Sequence, residues 1–212
     1  MSGRYDTQGN EEARFEPGSN DRVLANKLGI SDVDEMEDVE LDLLNRLYEE
    51  VLGSVEADQG IAVADVCEWH RRWLGNVYAW AGRYRTVNMG KGDFPFAASG
   101  QIARLMDNLG KDILGVHTPC AGMSEVQLTE ALSIVHVELI LIHPFREGNG
   151  RLSRLLASVM ALQAGWPPPD YTLWDNRRTD YFAAIQAGMS DYAPMKRLVR
   201  QALRATARNV DA

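Results

Sequence analysis

The 212-residue chain has only two cysteines, Cys67 and Cys120, and neither lies in a Cys/His spacing of the kind that holds zinc. Both read as reduced thiols, which leaves no disulfide framework. No apolar run approaches the roughly 20 residues that a membrane span needs. The opening stretch from Met1 to Asn20 is polar and lacks a hydrophobic signal core. These absences predict a cytoplasmic protein, or one exported without a cleaved leader. Internal repeats and low-complexity tracts are missing as well, so a solenoid is excluded. Positive charge is in deficit, with 22 Lys and Arg against 30 Asp and Glu for a net charge of −8. That balance speaks against a broadly basic nucleic-acid-binding surface.

What remains is 45% hydrophobic composition, enough for one sizeable core. A loose arm over residues 1–20 precedes a single domain over residues 21–208, with packed structure expected from about Val23. Val39, Leu43, Leu44, Leu47, Tyr48 and Val51 recur at helical spacing within a helix over about 37–55, opposite an acidic face. A second helix is predicted from Val63 to Trp80, with Gly82 as its stop. Between Arg83 and Ala98 the period changes around Gly90-Lys91-Gly92-Asp93, which predicts a hairpin. Further helices follow over about 99–114, from Ser124 to before Pro144, from Gly150 to before Gly165, over 177–187 and over 193–208. The fold class is all-α with one small β-hairpin. Trp69, Trp73, Tyr78 and Trp80 read as core, His136 as packed, and Lys196, Arg200, Arg204 and Arg208 as a basic stripe on the last helix.

The segment His143-Pro144-Phe145-Arg146-Glu147-Gly148-Asn149-Gly150-Arg151-Leu152-Ser153-Arg154 carries the chemistry. Two glycines leading into a helix N-terminus leave backbone N–H groups unpaired, and the helix dipole adds positive potential there, which makes a cradle for phosphate. Arg151 and Arg154, three apart, share a helix face and can grip neighbouring phosphates. Glu147 offers one hard oxygen ligand, enough for Mg2+ beside a phosphate. His143 can take a proton near neutral pH. Taken singly, each has a plainer reading: a helix-end His, a Gly-Asn-Gly turn, two solvated arginines. Their joint order within twelve residues is what phosphate chemistry requires.

This stretch resembles the Fic family motif His-x-Phe-x-(Asp/Glu)-Gly-Asn-Gly-Arg-x-x-Arg at every defined position. Trp80-Ala81-Gly82, Arg85, Lys91-Gly92, Phe94 and Phe96 are similar to the family's approach to its flap hairpin. The resemblance implies a Fic-type helical bundle and transfer of AMP from ATP to a protein hydroxyl. His143 would be the base and Phe145 the anchor of the loop. Glu147 would hold Mg2+, and Gly148, Asn149 and Gly150 would cradle the α-phosphate. Arg151 and Arg154 would bind toward the β- and γ-phosphates. Met89, Lys91, Phe94 and Phe96 would form a flap that docks the target as an added strand. Lys91, Gly92 and Tyr181 are further nucleotide-binding candidates. Family members that act as kinases depart from the motif at the second glycine and beyond, whereas this chain keeps Gly150, Arg151 and Arg154.

Many Fic proteins carry an inhibitory (Ser/Thr)-x-x-x-Glu-(Gly/Asn) helix. Here Ser31 to Met36 fails at Met36 and Thr7 to Glu12 fails likewise. The chain thus resembles compact bacterial members whose inhibitor is a separate small antitoxin-like protein, with Glu35 as a degenerate internal inhibitor the other reading. By the same resemblance the target is a type II topoisomerase or, for exported relatives, a GTPase. Transfer of another phosphate-containing group, or a non-catalytic partner-binding module using the flap, are the alternatives.

Overall fold

A computed structural model describes residues 11–210, and among these the chain is helical apart from turns and one two-stranded hairpin. Helix α1 (Val33–Gly53) starts at Asp32, whose carboxylate accepts the Glu35 N–H at 3.0 Å. It buries Met36, Leu44, Leu47 and Val51, and also one charged residue, Glu40. Helix α2 (Val63–Leu74) ends at Leu74 rather than at the expected Trp80. Beyond it the Val77 carbonyl accepts the Lys27 N–H at 2.8 Å, and Lys27 Nζ donates to the Gly75 carbonyl at 2.5 Å. A tertiary contact therefore takes the chain out of the helix where Gly75 and Asn76 favour it weakly.

The hairpin pairs β1 (Gly90–Lys91) with β2 (Phe94–Pro95) antiparallel, Lys91 opposite Phe94. Gly92 at the turn has φ +58°, the left-handed region that suits glycine. The next helix runs further than expected, through α3 (Ile102–Asn108), π turns over Leu109–Leu114, and α4 (Gly115–His117). Helix α5 (Glu125–Ile142) is capped by a reciprocal Ser124–Gln127 box and buries residues on all sides, from Leu128 and Ala131 to Val137, Ile140 and Ile142. A helix apolar all round is stable only inside. It packs against α6 (Asn149–Gln163) and α9 (Ala193–Val210), while α1 and α2 close over α6. Two short helices, α7 (Thr172–Asn176) and α8 (Arg178–Ala187), complete the order. Helix α7 escaped the sequence reading because five residues are too few to show a period. The basic stripe of α9 is partly neutralised, since Lys196 meets Glu130 and Arg204 meets Glu125.

Packing begins earlier than Val23. A 3-10 turn at Glu11–Ala13 buries Glu12, whose Oε2 accepts the Thr86 N–H at 2.9 Å and whose carbonyl accepts from Arg146 Nε at 2.8 Å. Phe15 then bridges Leu24. Polar residues hold this stretch down through hydrogen bonds, which a hydropathy pattern does not reveal. The first part of the expected arm, residues 1–10, lies outside the described residues.

One side chain ties the hairpin to the end of α5. Arg85 is 2% exposed. Its guanidinium donates to the carbonyls of His143 at 2.7 Å, Val87 at 2.5 Å, Ala97 at 2.6 Å and Ile142 at 3.3 Å. Its backbone N–H donates to Pro144 at 2.8 Å, and the Ala97 N–H reaches the Leu141 carbonyl at 3.2 Å. A cation at the carbonyl end of a helix also complements the dipole. Arg85→Ala is expected to lower unfolding free energy in urea by roughly 3 kcal/mol or more, because it strands several buried acceptors. Amide exchange at Phe96 and Ala97 should accelerate with it. Unchanged exchange there would show that the hairpin does not depend on this side chain.

Candidate active site

Pro144 cannot continue α5, and His143 caps the helix in the left-handed region with φ +51° and ψ +59°. Such a conformation costs a non-glycine residue about 1 kcal/mol or more, so neighbours must hold it. Arg85 does so from one side. From the other, Asn149 accepts the Phe145 N–H at 2.9 Å and donates to the Phe145 carbonyl at 2.8 Å, bracketing the loop. Phe145 is fully buried and stacks on the His70 ring at 4.0 Å. Nδ1 of His70 accepts the Gly82 N–H at 2.8 Å, so its proton sits on Nε2, which donates to the Glu147 carbonyl at 3.1 Å.

Gly148 precedes α6 at φ +82°, and no side chain caps that helix. The N–H groups of its first turn, from Asn149, Gly150 and Arg151, therefore have no intrahelical acceptor, the arrangement that suits an anion. The two glycines differ. A Cβ on Gly148 would lie 2.5 Å from the Trp73 ring, whereas one on Gly150 would meet no protein atom within 4 Å. Gly150 instead borders a cavity of about 420 Å³ that Glu147, Arg151, Arg154, Lys91, Trp174, Asp175, Arg178, Tyr181 and Phe182 also line.

The charged groups of the motif there have partners. Arg151 Nη2 lies 2.7 Å from Glu40 Oε2 and 3.4 Å from Glu147 Oε1, with its guanidinium 4.6 Å above the Trp73 ring. Arg154 grips Asp175 through both terminal nitrogens, at 3.1 and 2.7 Å, over the rings of Tyr171 and Trp174. Glu147 Oε1 also accepts the Gly148 N–H at 2.8 Å. Lys91 reaches from the hairpin to 3.4 Å above the Phe182 ring, and burial followed by the nearby Arg178 lowers its pKa. Tyr181 is buried and turns its hydroxyl inward to His136 Nε2 at 2.7 Å, leaving its ring to line the cavity.

A second hollow of about 500 Å³ lies beside the hairpin, lined by Lys91, Gly92, Phe94, Phe96, Arg178 and Phe182 among others. Phe96, which lines it, stacks on the His143 ring at 3.8 Å. Nδ1 of His143 donates to the Ile140 carbonyl at 3.3 Å, which leaves the Nε2 lone pair free of the backbone. Of the residues singled out in the sequence, Glu147, Gly148, Gly150, Arg151, Arg154, Lys91 and Tyr181 converge on one cavity. Gly92, Phe94 and Phe96 line the neighbouring hollow, and His143 and Met89 line neither. The Asn149 side chain faces the loop, so only its backbone is at the disposal of an anion. Sequence reasoning missed His70, Glu40 and Asp175. Glu40 left one signal, a carboxylate in the apolar stripe of α1.

Gly148→Ala is expected to destabilise the fold by roughly 2–4 kcal/mol through φ strain and the Trp73 clash. Gly150→Ala should leave the urea midpoint close to that of the native chain, while weakening the binding of a phosphate-bearing ligand. Burial, assisted by Arg151, Arg154 and the Arg85–Lys91 pair respectively, lowers His70 to about 4, His136 to about 3 and His143 to about 4. The folded chain thus stays unprotonated where the unfolded chain takes protons, and stability falls as pH drops from about 6.5 toward 4. Each histidine contributes a slope of about 1.4 kcal/mol per pH unit in that window. His70→Gln should make the measured slope shallower by about one proton.

Comparison with known proteins accords with this geometry. Residues 60–161 match the Fic/DOC family. A protein adenylyltransferase Fic of Nematostella vectensis is 31% identical over 160 residues, covering 74% of this chain and 35% of the relative. A probable protein adenylyltransferase of Sinorhizobium fredii is 28% identical over 185 residues, covering 87% of this chain and 92% of the relative. The chain spans only 26% to 35% of the length of the animal relatives it matches. Among solved structures, the BepC protein of Bartonella tribocorum, a VirB-translocated effector with bound AMPPNP, superposes with TM-score 0.73 at 23% identity, covering 91% of this chain and 96% of that one. With its intact motif, its helical bundle and its hairpin beside the motif histidine, this chain belongs to the Fic/DOC family.

Proposed function

We propose that the chain transfers the adenylyl group of ATP to a Ser, Thr or Tyr hydroxyl of another protein and releases pyrophosphate. The observation that carries this reading is the uncapped N-terminus of α6, opening with two arginines into a cavity of about 420 Å³, with His143 at the other end of the short loop that leads into that helix. The names of the relatives, protein adenylyltransferases, support it. His143 suits a base because its proton is held on Nδ1 and it stays neutral at physiological pH. Nε2 takes the hydroxyl proton, the oxygen bonds to the α-phosphorus, and the bond from that phosphorus to the bridging oxygen breaks. Pyrophosphate leaves with the electron pair. First-turn N–H groups of α6 stabilise the charge on the α-phosphate oxygens.

The residues present fit Mg2+. Glu147 uses only Oε1 toward the protein, and the described residues contain no cluster of three His, Cys, Asp or Glu groups for a metal. One carboxylate completed by phosphate oxygens and water is a common Mg2+ arrangement. Bound there, the ion would neutralise charge on the phosphates. The hairpin edge would receive the target as an added strand, with Phe94 and Phe96 beside the nucleophile's path.

A bacterial toxin held by a small antitoxin-like protein, with a type II topoisomerase as target, is the reading we favour for the biological role. An exported enzyme acting on a GTPase is the second, suggested by the translocated effector BepC. Glu35 is exposed at the start of α1, and the carboxylate on Arg154 is Asp175, which speaks for an external inhibitor over Ser31 to Met36. No helix of the described residues is long and apolar enough to cross a membrane.

With Mg2+ and a cell lysate, ATP labelled at the α-phosphorus should label a protein band. His143→Ala should reduce that label by about 100-fold or more. Label from the γ-phosphorus instead would mean phosphoryl transfer, and label surviving the substitution would remove His143 from the mechanism.

A further inference from the structure

The carboxylates paired with the two motif arginines are not equivalent. Glu40 is 5% exposed, and its other oxygen accepts the Tyr78 hydroxyl at 2.7 Å, so it is a fixed counter-charge of Arg151. Asp175 stands on the short helix α7 with its side chain half exposed at the cavity wall, and turns both oxygens to Arg154. The Arg154 guanidinium lies 5.1 Å from the centre of the Tyr171 ring and 6.0 Å from that of Trp174. Asp175 holds the Nη1–Nη2 edge, and a terminal phosphate that approaches this edge meets the carboxylate. Carboxylate and phosphate use the same pair of N–H donors, so the two cannot occupy that edge together.

We infer that Asp175 sets the nucleotide preference of the site by occupying the Arg154 fork, which offsets the affinity that a terminal third phosphate would otherwise gain there over a diphosphate. The inference rests on the proposed function and concerns which nucleotides its site favours. A nucleoside diphosphate leaves the Asp175–Arg154 pair closed and meets only Arg151 and the α6 N-terminus. A triphosphate must open the pair, and the exposure of Asp175 lets it swing toward solvent. In the native chain the third phosphate therefore adds little affinity, because its contact with Arg154 replaces an ion pair of similar kind.

The test is equilibrium binding of ATP and of ADP, each with Mg2+, to the full chain and to Asp175→Asn, Arg154→Ala and the double variant. Asp175→Asn keeps the shape and removes the charge, and it is expected to tighten ATP about tenfold more than ADP, the worth of one charge-assisted contact. In the Arg154→Ala background the same substitution should no longer separate the two nucleotides. Equal tightening of ATP and ADP would reduce Asp175 to a general field effect and overturn the inference. Selective weakening of ATP would also overturn it, by making Asp175 an aligner of Arg154. Both outcomes leave the proposed function standing. Failure of every variant and of the native chain to bind either nucleotide would remove that function, and this inference with it. Urea unfolding of Asp175→Asn should match the native chain, because a half-exposed pair contributes little to stability.

Discussion

The candidate site depends on how α5 ends. Pro144 stops the helix, His143 takes a left-handed conformation, and the carbonyls of Ile142 and His143 are left facing a buried Arg85. Because that guanidinium also binds Val87 and Ala97 on either side of the hairpin, one cation fixes two things at once. The backbone that presents the imidazole and the backbone that presents the flap are thus held to a common reference. A surface arginine could not do this, since its donors would be shared with water and its rotamers free.

Beneath the loop, rigidity comes from satisfied polar groups rather than from apolar packing alone. Asn149 brackets Phe145, His70 spans Gly82 and Glu147, and Glu12 reaches both Thr86 and Arg146. Each is buried and paired, which is the condition under which a polar group in a core specifies one geometry instead of costing stability. The functional consequence is an imidazole and an uncapped helix start that need little reorganisation to meet a phosphate.

The cavity gathers more cationic groups than the site can leave unpaired in the free chain. Arg151 is neutralised by Glu40 and Glu147, and Arg154 by Asp175, while Lys91 lies on the Phe182 ring. An anion entering here exchanges ion pairs instead of filling an empty positive hole. Such exchange lowers the net gain per phosphate and makes the identity of each resident carboxylate matter for what binds.

The motif from His143 to Arg154 was legible in the sequence because its chemistry is local: two glycines, a helix start and two arginines one turn apart act within a few residues of chain. Helix existence was legible for the same reason, since periodicity is a short-range property. Helix ends were less so, as Leu74 shows, where Lys27 captures the chain from far away in sequence. Glu40, His70 and Asp175 reach the site from α1, α2 and α7, and nothing near them in the chain says what they will face. By itself the sequence determined the all-α class and the glycine-flanked start of α6 with its two arginines. Only the tertiary structure decided which carboxylates neutralise those arginines and which ring stacks on His143, because ion pairs and stacking follow distance in space and not separation along the chain.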